Sequence, residues 1–115
     1  MALTKAEEYR KLFDLEGKTA IVTGGAGVLG RTLAVGLAAY GCDVVVTGRT
    51  LATLEETVKE IEATGRKALA VPCDVSKKED VDNLVKRTMD AFGKIDILVT
   101  SAGIAKRHPA EDFPI

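Results

Sequence analysis

The sequence predicts an α/β fold in which a parallel β-sheet is flanked by helices. Short apolar runs alternate with segments of helical periodicity, and the connections between them are short. One of these runs continues through a glycine-rich turn into a helical pattern. Right-handed crossovers between the parallel strands then predict the strand order 3-2-1-4.

Periodicity and chain-breaking residues set the bounds of each element. Three helices are expected to end at glycine, and the third strand is expected to end at a proline, namely Gly41, Gly65, Gly93 and Pro72. The predicted strands cover residues 19–23, 43–47, 67–71 and 95–100. The predicted helices cover residues 4–13 and 28–40, and run from Thr50 to 64 and from Ser76 to 92.

Helix caps and apolar stripes refine these helices. Thr50 is expected to cap one helix, and Ser76 and Glu79 are expected to form a capping box at the start of another. The first core helix is expected to turn one apolar face inward, formed by Leu29, Leu33, Leu37 and Tyr40.

Length and charge limit the classes of function. The 115 residues suit one domain, with a helical lead-in at 1–14 and β-α-β units at 15–115. The 16 basic and 17 acidic side chains nearly balance, so neither nucleic acid nor an anionic membrane is an expected partner. The N-terminus has no apolar signal core and no run approaches the ~18 apolar residues of a membrane span, so a cytoplasmic protein is expected.

The two cysteines are predicted to be unpaired. Cys42 is expected to open the second strand and Cys73 to close the third. In parallel neighbours these positions lie at opposite ends of the sheet, about 15 Å apart at the rise of a strand. A disulfide needs Cα atoms within about 7 Å, so both residues are interpreted as buried small apolar side chains.

The turn after the first strand has the pattern of an anion-binding loop. Gly25, Gly27 and Gly30 read G-x-G-x-x-G, which predicts a tight turn, close approach of backbone to phosphate, and close packing of helix on strand, in that order. The helix that follows directs its unpaired N–H groups and the positive end of its dipole at the anion. The pattern predicts that a dinucleotide is bound by its pyrophosphate, above the carboxyl ends of strands 1 and 4.

Three segments in register resemble the short-chain dehydrogenase/reductase family. They are Thr23–Gly30, Cys73–Val75 and Ile97–Gly103, and the resemblance extends from Leu15 onward. It implies a Rossmann-type sheet, here the truncated half of a doubly wound fold. It also implies that Asp74 accepts a hydrogen bond from the adenine amino group, with Val75 beside it. The other cofactor-binding residues that it implies are Gly24, Gly25, Gly27, Val28, Leu29, Gly30, Ser101, Ala102 and Gly103.

Two positions depart from the family pattern. Val28 stands where the family has its middle glycine, and valine resists a positive φ, so altered turn geometry is expected. Ser101 stands where the family has an asparagine amide, and a hydroxyl offers one donor where an amide offers two. Weaker or rearranged cofactor contacts are therefore expected.

The end of the second strand bears on cofactor choice. An acidic side chain there binds the ribose 2'-hydroxyl of NAD, whereas an arginine suits the 2'-phosphate of NADP. Gly48 occupies the acidic position and Arg49 follows it. The sequence therefore favours NADP, with NAD as the alternative, and a solvated Arg49 without a role is the other interpretation of this residue.

The family resemblance also defines what this sequence lacks. The family uses a tyrosine that exchanges a proton with the substrate oxygen and a lysine four residues later. Neither Tyr9 nor Tyr40 is followed by a lysine at that spacing, and Tyr40 is expected in the core. No catalytic residue is assigned, the catalytic segment is expected beyond Ile115, and the 115 residues alone are expected to be inactive. No metal site is predicted either, because His108 is the only histidine.

The final charged loop suggests a substrate class. Residues 106–114 are similar to the corresponding loop of gluconate 5-dehydrogenase-like members of the family, which act on sugar acids. Arg107 could bind a carboxylate and His108 a hydroxyl, although a solvated charged loop explains both residues equally well.

The leading interpretation is the cofactor-binding portion of an NAD(P)-dependent oxidoreductase that interconverts a hydroxyl and a ketone, with a small-molecule substrate such as gluconate. One alternative is a nucleotide-binding or interaction module without turnover, and a weaker one is a relative of 3-oxoacyl-carrier-protein reductase. The uncovered outer edge of the fourth strand predicts self-association into a homo-oligomer.

Overall fold

The computed structural model describes residues 4–101 as eight elements in an α/β arrangement. In chain order they are α1 Lys5–Lys11, β1 Thr19–Thr23, α2 Val28–Ala39, β2 Asp43–Gly48, α3 Leu51–Ala63, β3 Ala68–Pro72, α4 Lys78–Phe92 and β4 Ile97–Thr100. The four strands form one parallel sheet in the order β3-β2-β1-β4, which confirms the predicted fold class and strand order.

The register of the sheet brings the carboxyl ends of all four strands to one edge. Thr23, the last residue of β1, pairs with Thr47 of β2 and with Thr100 of β4. Gly48, the last residue of β2, pairs with Pro72 of β3. We refer to this edge, formed by Thr23, Gly48, Pro72 and Thr100, as the carboxyl edge.

Helices cover both faces of the central strands. Every residue of β1 is buried, as are the four interior residues of β2. On one face α2 and α3 pack on β1 and β2, around Ala20, Val22, Val44, Val46, Leu54 and Ile61. On the other face Leu84 of α4 packs against Ile21, Val45, Val71 and Cys73. The continuous apolar content of the strands follows from this two-sided burial.

The prediction for the inward face of α2 is wrong. Its buried residues are Gly30, Ala34 and Ala38, whereas Tyr40, which was expected in the core, is 60% exposed. Leu29 and Leu33 are also exposed, and Leu37 packs only in part against the core. Small residues at i, i+4 and i+8 bring the helix axis close to the sheet, which leaves the larger leucines at the sides of the helix.

The predicted glycine stops of the helices are confirmed, whereas the predicted side-chain caps are not. Gly41, Gly65 and Gly93 all have positive φ, as glycines after helices commonly do. Thr50 occupies the N-cap of α3, but its side chain makes no capping bond. The Ser76 capping box is also wrong, because α4 is preceded by Lys77 as its N-cap.

Both cysteines are free and buried, as predicted. Cys42 directly precedes β2 and Cys73 directly follows β3, so the two thiols lie at opposite edges of the parallel sheet. Burial raises the pKa of each thiol. Both therefore act as small apolar side chains.

The β4 strand is the outer strand beside β1 in the described part of the chain. Its residues alternate between half-buried and exposed, and Leu98 is 63% exposed. Within residues 4–101, no helix has the length and apolar character that crossing a membrane requires.

Candidate functional site

A tight turn joins β1 to α2 at the carboxyl edge. Gly24 has a φ of +68°, a conformation that favours glycine because it has no Cβ. The N–H of Gly25 donates to the carbonyl of Thr47 over 3.1 Å, and the N–H of Gly27 donates to the carbonyl of Gly24 over 3.1 Å. The residue that needs the turn conformation is therefore Gly24, one position before the predicted Gly25.

Two further glycines are required by close packing. A Cβ at Gly25 would lie 2.7 Å from the Cβ of Val46 in the neighbouring strand. A Cβ at Gly30 would overlap the carbonyl oxygen of Gly24 and lie 2.7 Å from Oγ of Ser101. Gly30 thus packs helix against strand as predicted, and a side chain at either position would push the turn outward.

Val28 leaves the turn geometry intact, contrary to the expectation from sequence. It is the first residue of α2, and no residue other than glycine has a positive φ within residues 4–101. Its side chain points outward and is 88% exposed. The departure from the family glycine falls where the backbone is helical, and a β-branched residue adopts that conformation without strain.

The N-terminus of α2 has the features of an anion-binding site. Its N-cap residue, Gly27, provides no side-chain cap, and the first turn contains no acidic residue. The first bond of the helix runs from the N–H of Arg31 to the carbonyl of Gly27, over 2.8 Å. The N–H groups of residues 28–30 have no acceptor within the helix and point out of its positive end. Such an arrangement can bind a pyrophosphate, and Gly27 places no side chain at the cap position.

A buried hydroxyl of α3 forms a hydrogen bond to the backbone of the turn. Thr57 of α3 is fully buried, and its hydroxyl donates to the carbonyl of Gly25 over 2.8 Å. The bond anchors the turn to α3 across 32 residues of sequence. The sequence reasoning missed Thr57, and the only available signal was a threonine inside an otherwise apolar helical stripe.

Ser101 joins the end of β4 to the end of β1. Its N–H donates to Oγ1 of Thr23 over 3.2 Å, and its hydroxyl donates to the carbonyl oxygen of Thr23. The Thr23 hydroxyl donates in turn to the carbonyl of Val99. The single donor of the serine side chain is therefore engaged within the protein, and its effect on cofactor affinity stays a prediction.

Asp74 follows β3 and keeps a fixed carboxylate at the carboxyl edge. Its Oδ1 accepts from the N–H of Ser76 over 3.0 Å and from the Ser76 hydroxyl over 2.6 Å. These two bonds, with the charge of Arg49, hold the pKa of Asp74 below its usual value. The carboxylate is therefore ionised at neutral pH and can only accept hydrogen bonds.

Two more contacts fix the backbone on either side of this carboxylate. The N–H of Cys73 donates to the carbonyl of Gly48 over 2.8 Å, which continues the pairing of β3 with β2. The N–H of Asp74 donates to Oδ2 of Asp80, on the first turn of α4, over 2.8 Å. The role of Asp80 was also missed, because no local pattern relates a loop N–H to a carboxylate six residues later.

Arg49 lies at the same edge, directly after β2. Its side chain is exposed, and Gly48 leaves no carboxylate at the strand end that would repel a phosphate. Arg49 and Asp74 are near enough for the arginine charge to act on the carboxylate. The carboxyl edge thus combines an uncapped helix N-terminus, a cation and a hydrogen-bond acceptor. The other predicted site residues, Ala102, Gly103, Arg107 and His108, lie outside the described residues.

The sequence of this chain matches a known protein family and several of its members. The profile of the short chain dehydrogenase family matches residues 18–115. The 5-keto-D-gluconate 5-reductase of Escherichia coli strain K12 is 38% identical over 103 residues, which cover 90% of this chain and 41% of that protein. The gluconate 5-dehydrogenase of Gluconobacter oxydans strain 621H is 42% identical over 102 residues, covering 89% of this chain and 40% of that protein.

A solved structure agrees with the sequence matches. A short-chain type dehydrogenase/reductase from Mycobacterium marinum superposes with a TM-score of 0.81 at 36% identity, over 90% of this chain and 42% of that one. The chain thus spans about two fifths of the length of the relatives that it matches. The family match and the shared fold show that the chain belongs to the short-chain dehydrogenase family.

Proposed function

We propose that this chain forms the dinucleotide-binding part of a short-chain oxidoreductase that prefers NADP and interconverts a hydroxyl and a ketone. The observation that carries the proposal is the N-terminus of α2, which opens at the carboxyl edge with a glycine cap and no acidic residue in its first turn. Open α/β sheets bind their ligands outside the carboxyl ends of the strands. A bound nicotinamide dinucleotide would supply the hydride chemistry of the family.

The residues of the chain have separate roles in holding the cofactor. The N–H groups of residues 28–30 bind the pyrophosphate, and Gly24, Gly25 and Gly30 permit the close approach of the backbone. Asp74 accepts a hydrogen bond from the adenine amino group, with Val75 beside the base. Ser101, with Ala102 and Gly103 after it, borders the cofactor next to β1.

Arg49 is proposed to select NADP. A guanidinium binds a phosphate through two parallel hydrogen bonds, and its charge is not neutralised by an acidic residue at the end of β2. Asp74 is a nearby carboxylate, but Ser76 already occupies its Oδ1. The 2'-phosphate of NADP would therefore meet a cation, whereas the 2'-hydroxyl of NAD would meet no carboxylate at Gly48.

Calorimetric titration of the chain with NADP and with NAD tests this selection. The Arg49→Asp variant is expected to weaken NADP binding by at least about tenfold and to shift the preference toward NAD. Arg87→Asp is the matched control, since it makes the same change of charge at an exposed position of α4. An unchanged preference in Arg49→Asp would refute the role of Arg49, and failure of the unmodified chain to bind either dinucleotide would refute the proposed function.

The proposed substrate class is a sugar acid. Two relatives that are 38% and 42% identical to the chain have names that refer to gluconate or 5-keto-gluconate. Arg107 is proposed to bind the substrate carboxylate and His108 a substrate hydroxyl. Turnover requires a protein that also supplies the tyrosine and lysine of the family. In that protein, Arg107→Leu is expected to raise the KM for a sugar acid but not for its neutral sugar alcohol, and an equal rise for both would exclude a carboxylate contact.

Within residues 4–101 the outer edge of β4 pairs with no other strand, which supports the proposal of self-association. An unpaired strand edge can add a strand from another chain, and the side chain of Leu98 in β4 is also largely exposed. Sedimentation velocity at several protein concentrations tests the point. A concentration-independent monomer would contradict it.

A further inference from the structure

Asp74 is held more firmly than a loop residue that merely follows a strand. Asp74 takes part in three hydrogen bonds with neighbouring side chains and backbone. Its Oδ1 accepts two from Ser76, and its own N–H donates one to Asp80. A fourth backbone bond runs from the N–H of Lys77 to the carbonyl of Asp74, over 2.9 Å. Both the carboxylate and the peptide of Asp74 are thus fixed before any ligand arrives.

The two Ser76 bonds use the same carboxylate oxygen. Within residues 4–101 the structure gives Oδ2 of Asp74 no donor, so its lone pairs are available to a ligand. An ionised carboxylate accepts a hydrogen bond but cannot donate one. The group that completes this site must therefore be an N–H or O–H donor, and a carbonyl oxygen at the same place would be repelled.

We propose that Ser76 and Asp80 are positioning residues that fix Asp74 so that its free oxygen selects a purine with a 6-amino group over one with a 6-oxo group. The inference rests on the proposed binding of a dinucleotide at the carboxyl edge. Asp80 fixes the path of the loop by accepting a hydrogen bond from the N–H of Asp74. Ser76 fixes the rotation of the Asp74 carboxylate by donating to it. Neither residue contacts the base itself.

The selectivity follows from the cost of an unsatisfied partner. A 6-amino group donates to the carboxylate, whereas a 6-oxo group leaves the carboxylate without its donor and places two acceptors together. Sites built to bind a donor discriminate strongly against an analogue that lacks it, provided that the acceptor cannot turn away. The bonds from Ser76 and to Asp80 supply that constraint, because a carboxylate on a free loop would rotate toward solvent.

The test compares NADP with its hypoxanthine analogue, nicotinamide hypoxanthine dinucleotide phosphate, by calorimetric titration. The unmodified chain is expected to prefer NADP by about tenfold or more, the value of a hydrogen bond to a charged group. Ser76→Ala and Asp80→Ala are each expected to reduce that preference by about three- to tenfold. They should do so mainly by weakening NADP binding, since the 6-oxo group of the analogue cannot donate to Asp74.

Conservative variants separate positioning from a general loss of structure. Asp80→Asn keeps an oxygen that accepts the N–H of Asp74, and Ser76→Thr keeps the hydroxyl, so both should retain the preference of the unmodified chain. Glu79→Ala is the control for the charge removed by Asp80→Ala, because Glu79 is exposed on the same turn of α4 and makes none of the bonds around Asp74. It should leave the ratio of the two affinities unchanged.

Each outcome decides the inference. Retention of the full adenine preference in both alanine variants would overturn it and leave the proposed function in place. Failure of the unmodified chain to bind either dinucleotide would overturn the proposed function and this inference together. If Asp80→Ala does not fold, Ser76→Ala decides the question, because it removes only one exposed hydroxyl and leaves the backbone bond from Ser76 to Asp74 intact.

Discussion

At the amino ends of the strands, which we refer to as the amino edge, carboxylates join neighbouring segments of the chain, whereas hydroxyl groups do so at the carboxyl ends of β1 and β4. Oδ2 of Asp96 accepts the N–H of Thr19 over 2.9 Å and fastens β4 to β1. Oδ1 of Asp43 accepts the N–H of Lys67 and a guanidinium N–H of Arg66, each over 3.1 Å. At the opposite edge the Ser101 hydroxyl and N–H bond to Thr23.

The difference is consistent with the anion site that we propose at the carboxyl edge. A carboxylate near the N-terminus of α2 would stabilise the helix but would compete with a bound phosphate. Neutral hydroxyls at Thr23, Thr57 and Ser101 fasten the strands and the turn without adding negative charge there. The carboxylate of Asp74 lies farther along the carboxyl edge, after β3, where the proposed ligand presents a donor.

The largest expected effect comes from filling the space at Gly30. A Cβ there would overlap the Gly24 carbonyl oxygen, so Gly30→Ala should push the turn away from α2. We expect a loss of about 2 to 3 kcal/mol in the free energy of unfolding and no measurable dinucleotide binding. Urea unfolding and calorimetric titration check the two parts.

Gly36→Ala is the matched control in the same helix. A Cβ at Gly36 would meet nothing within 4 Å, so this variant should gain about 0.5 to 1 kcal/mol from helix propensity and bind dinucleotide normally. Equal losses of stability in the two variants would contradict the packing role assigned to Gly30.

The next largest effect is expected from placing a carboxylate at the carboxyl edge, like those that join the strands at the amino edge. Gly27 has a φ of −73° and a ψ of 163°, which any residue adopts, so Gly27→Asp should fold and cap α2. We expect the stability to rise by a few tenths of a kcal/mol. We expect the dinucleotide affinity to fall by about tenfold or more, because the carboxylate occupies the anion site.

Gly27→Asn separates charge from capping. Asparagine caps a helix about as well as aspartate but is neutral. Gly27→Asn should therefore be as stable as Gly27→Asp and should bind the dinucleotide more tightly. Equal affinities in the two variants would show that electrostatics at the helix end does not control binding.

A smaller effect is expected from the hydroxyl connection between β1 and β4. Ser101→Ala removes the bond from the serine hydroxyl to the Thr23 carbonyl and keeps the backbone bond to Oγ1 of Thr23. The free energy of unfolding should fall by about 1 kcal/mol. A chemical unfolding curve checks the value, and an unchanged midpoint would remove Ser101 from the account of sheet stability.

The smallest effect concerns the pH dependence at the amino edge. The bond from the Thr19 N–H, with Lys94 and Lys18 nearby, holds the pKa of Asp96 below its usual value. A carboxyl whose pKa is lower in the folded state stabilises the fold fully above its unfolded pKa, near pH 4, and loses that contribution as the pH falls through the folded pKa. Asp96→Asn should therefore have a lower urea midpoint than the unmodified chain at pH 7. The difference between the two midpoints should shrink as the pH falls below the unfolded pKa, and a constant difference would exclude Asp96 as the titrating group.

The sequence predicts the sheet correctly because its signals are local and repeated. The apolar runs, the glycines at positive φ and the short connections together define the parallel order of the strands. The inward face of α2 could not be found in the same way, because Gly30, Ala34 and Ala38 contribute less to a hydrophobic pattern than the leucines beside them. Their burial results from the close approach of the helix to the sheet.

The candidate site also contains residues that local motifs predict and residues whose roles arise only on folding. The glycine turn and Asp74 follow from local motifs, and the structure places both at the carboxyl edge. The supports from Thr57 and Asp80 join segments that meet only after folding, so no local pattern contains them. The sequence overestimated the effect of Val28 on the turn geometry, because the turn conformation is set four residues earlier, at Gly24.

The most direct test of the account is a titration of the isotopically labelled chain with NADP, followed by amide chemical shifts. We expect the largest shifts at residues 24–30, 49 and 74–75, with little change at Arg66, Lys67 and Asp96 on the amino edge. That result would place the anion at the carboxyl edge of the sheet. Shifts confined to the amino edge, or none at saturating NADP, would contradict the central claim that the N-terminus of α2 is the dinucleotide site.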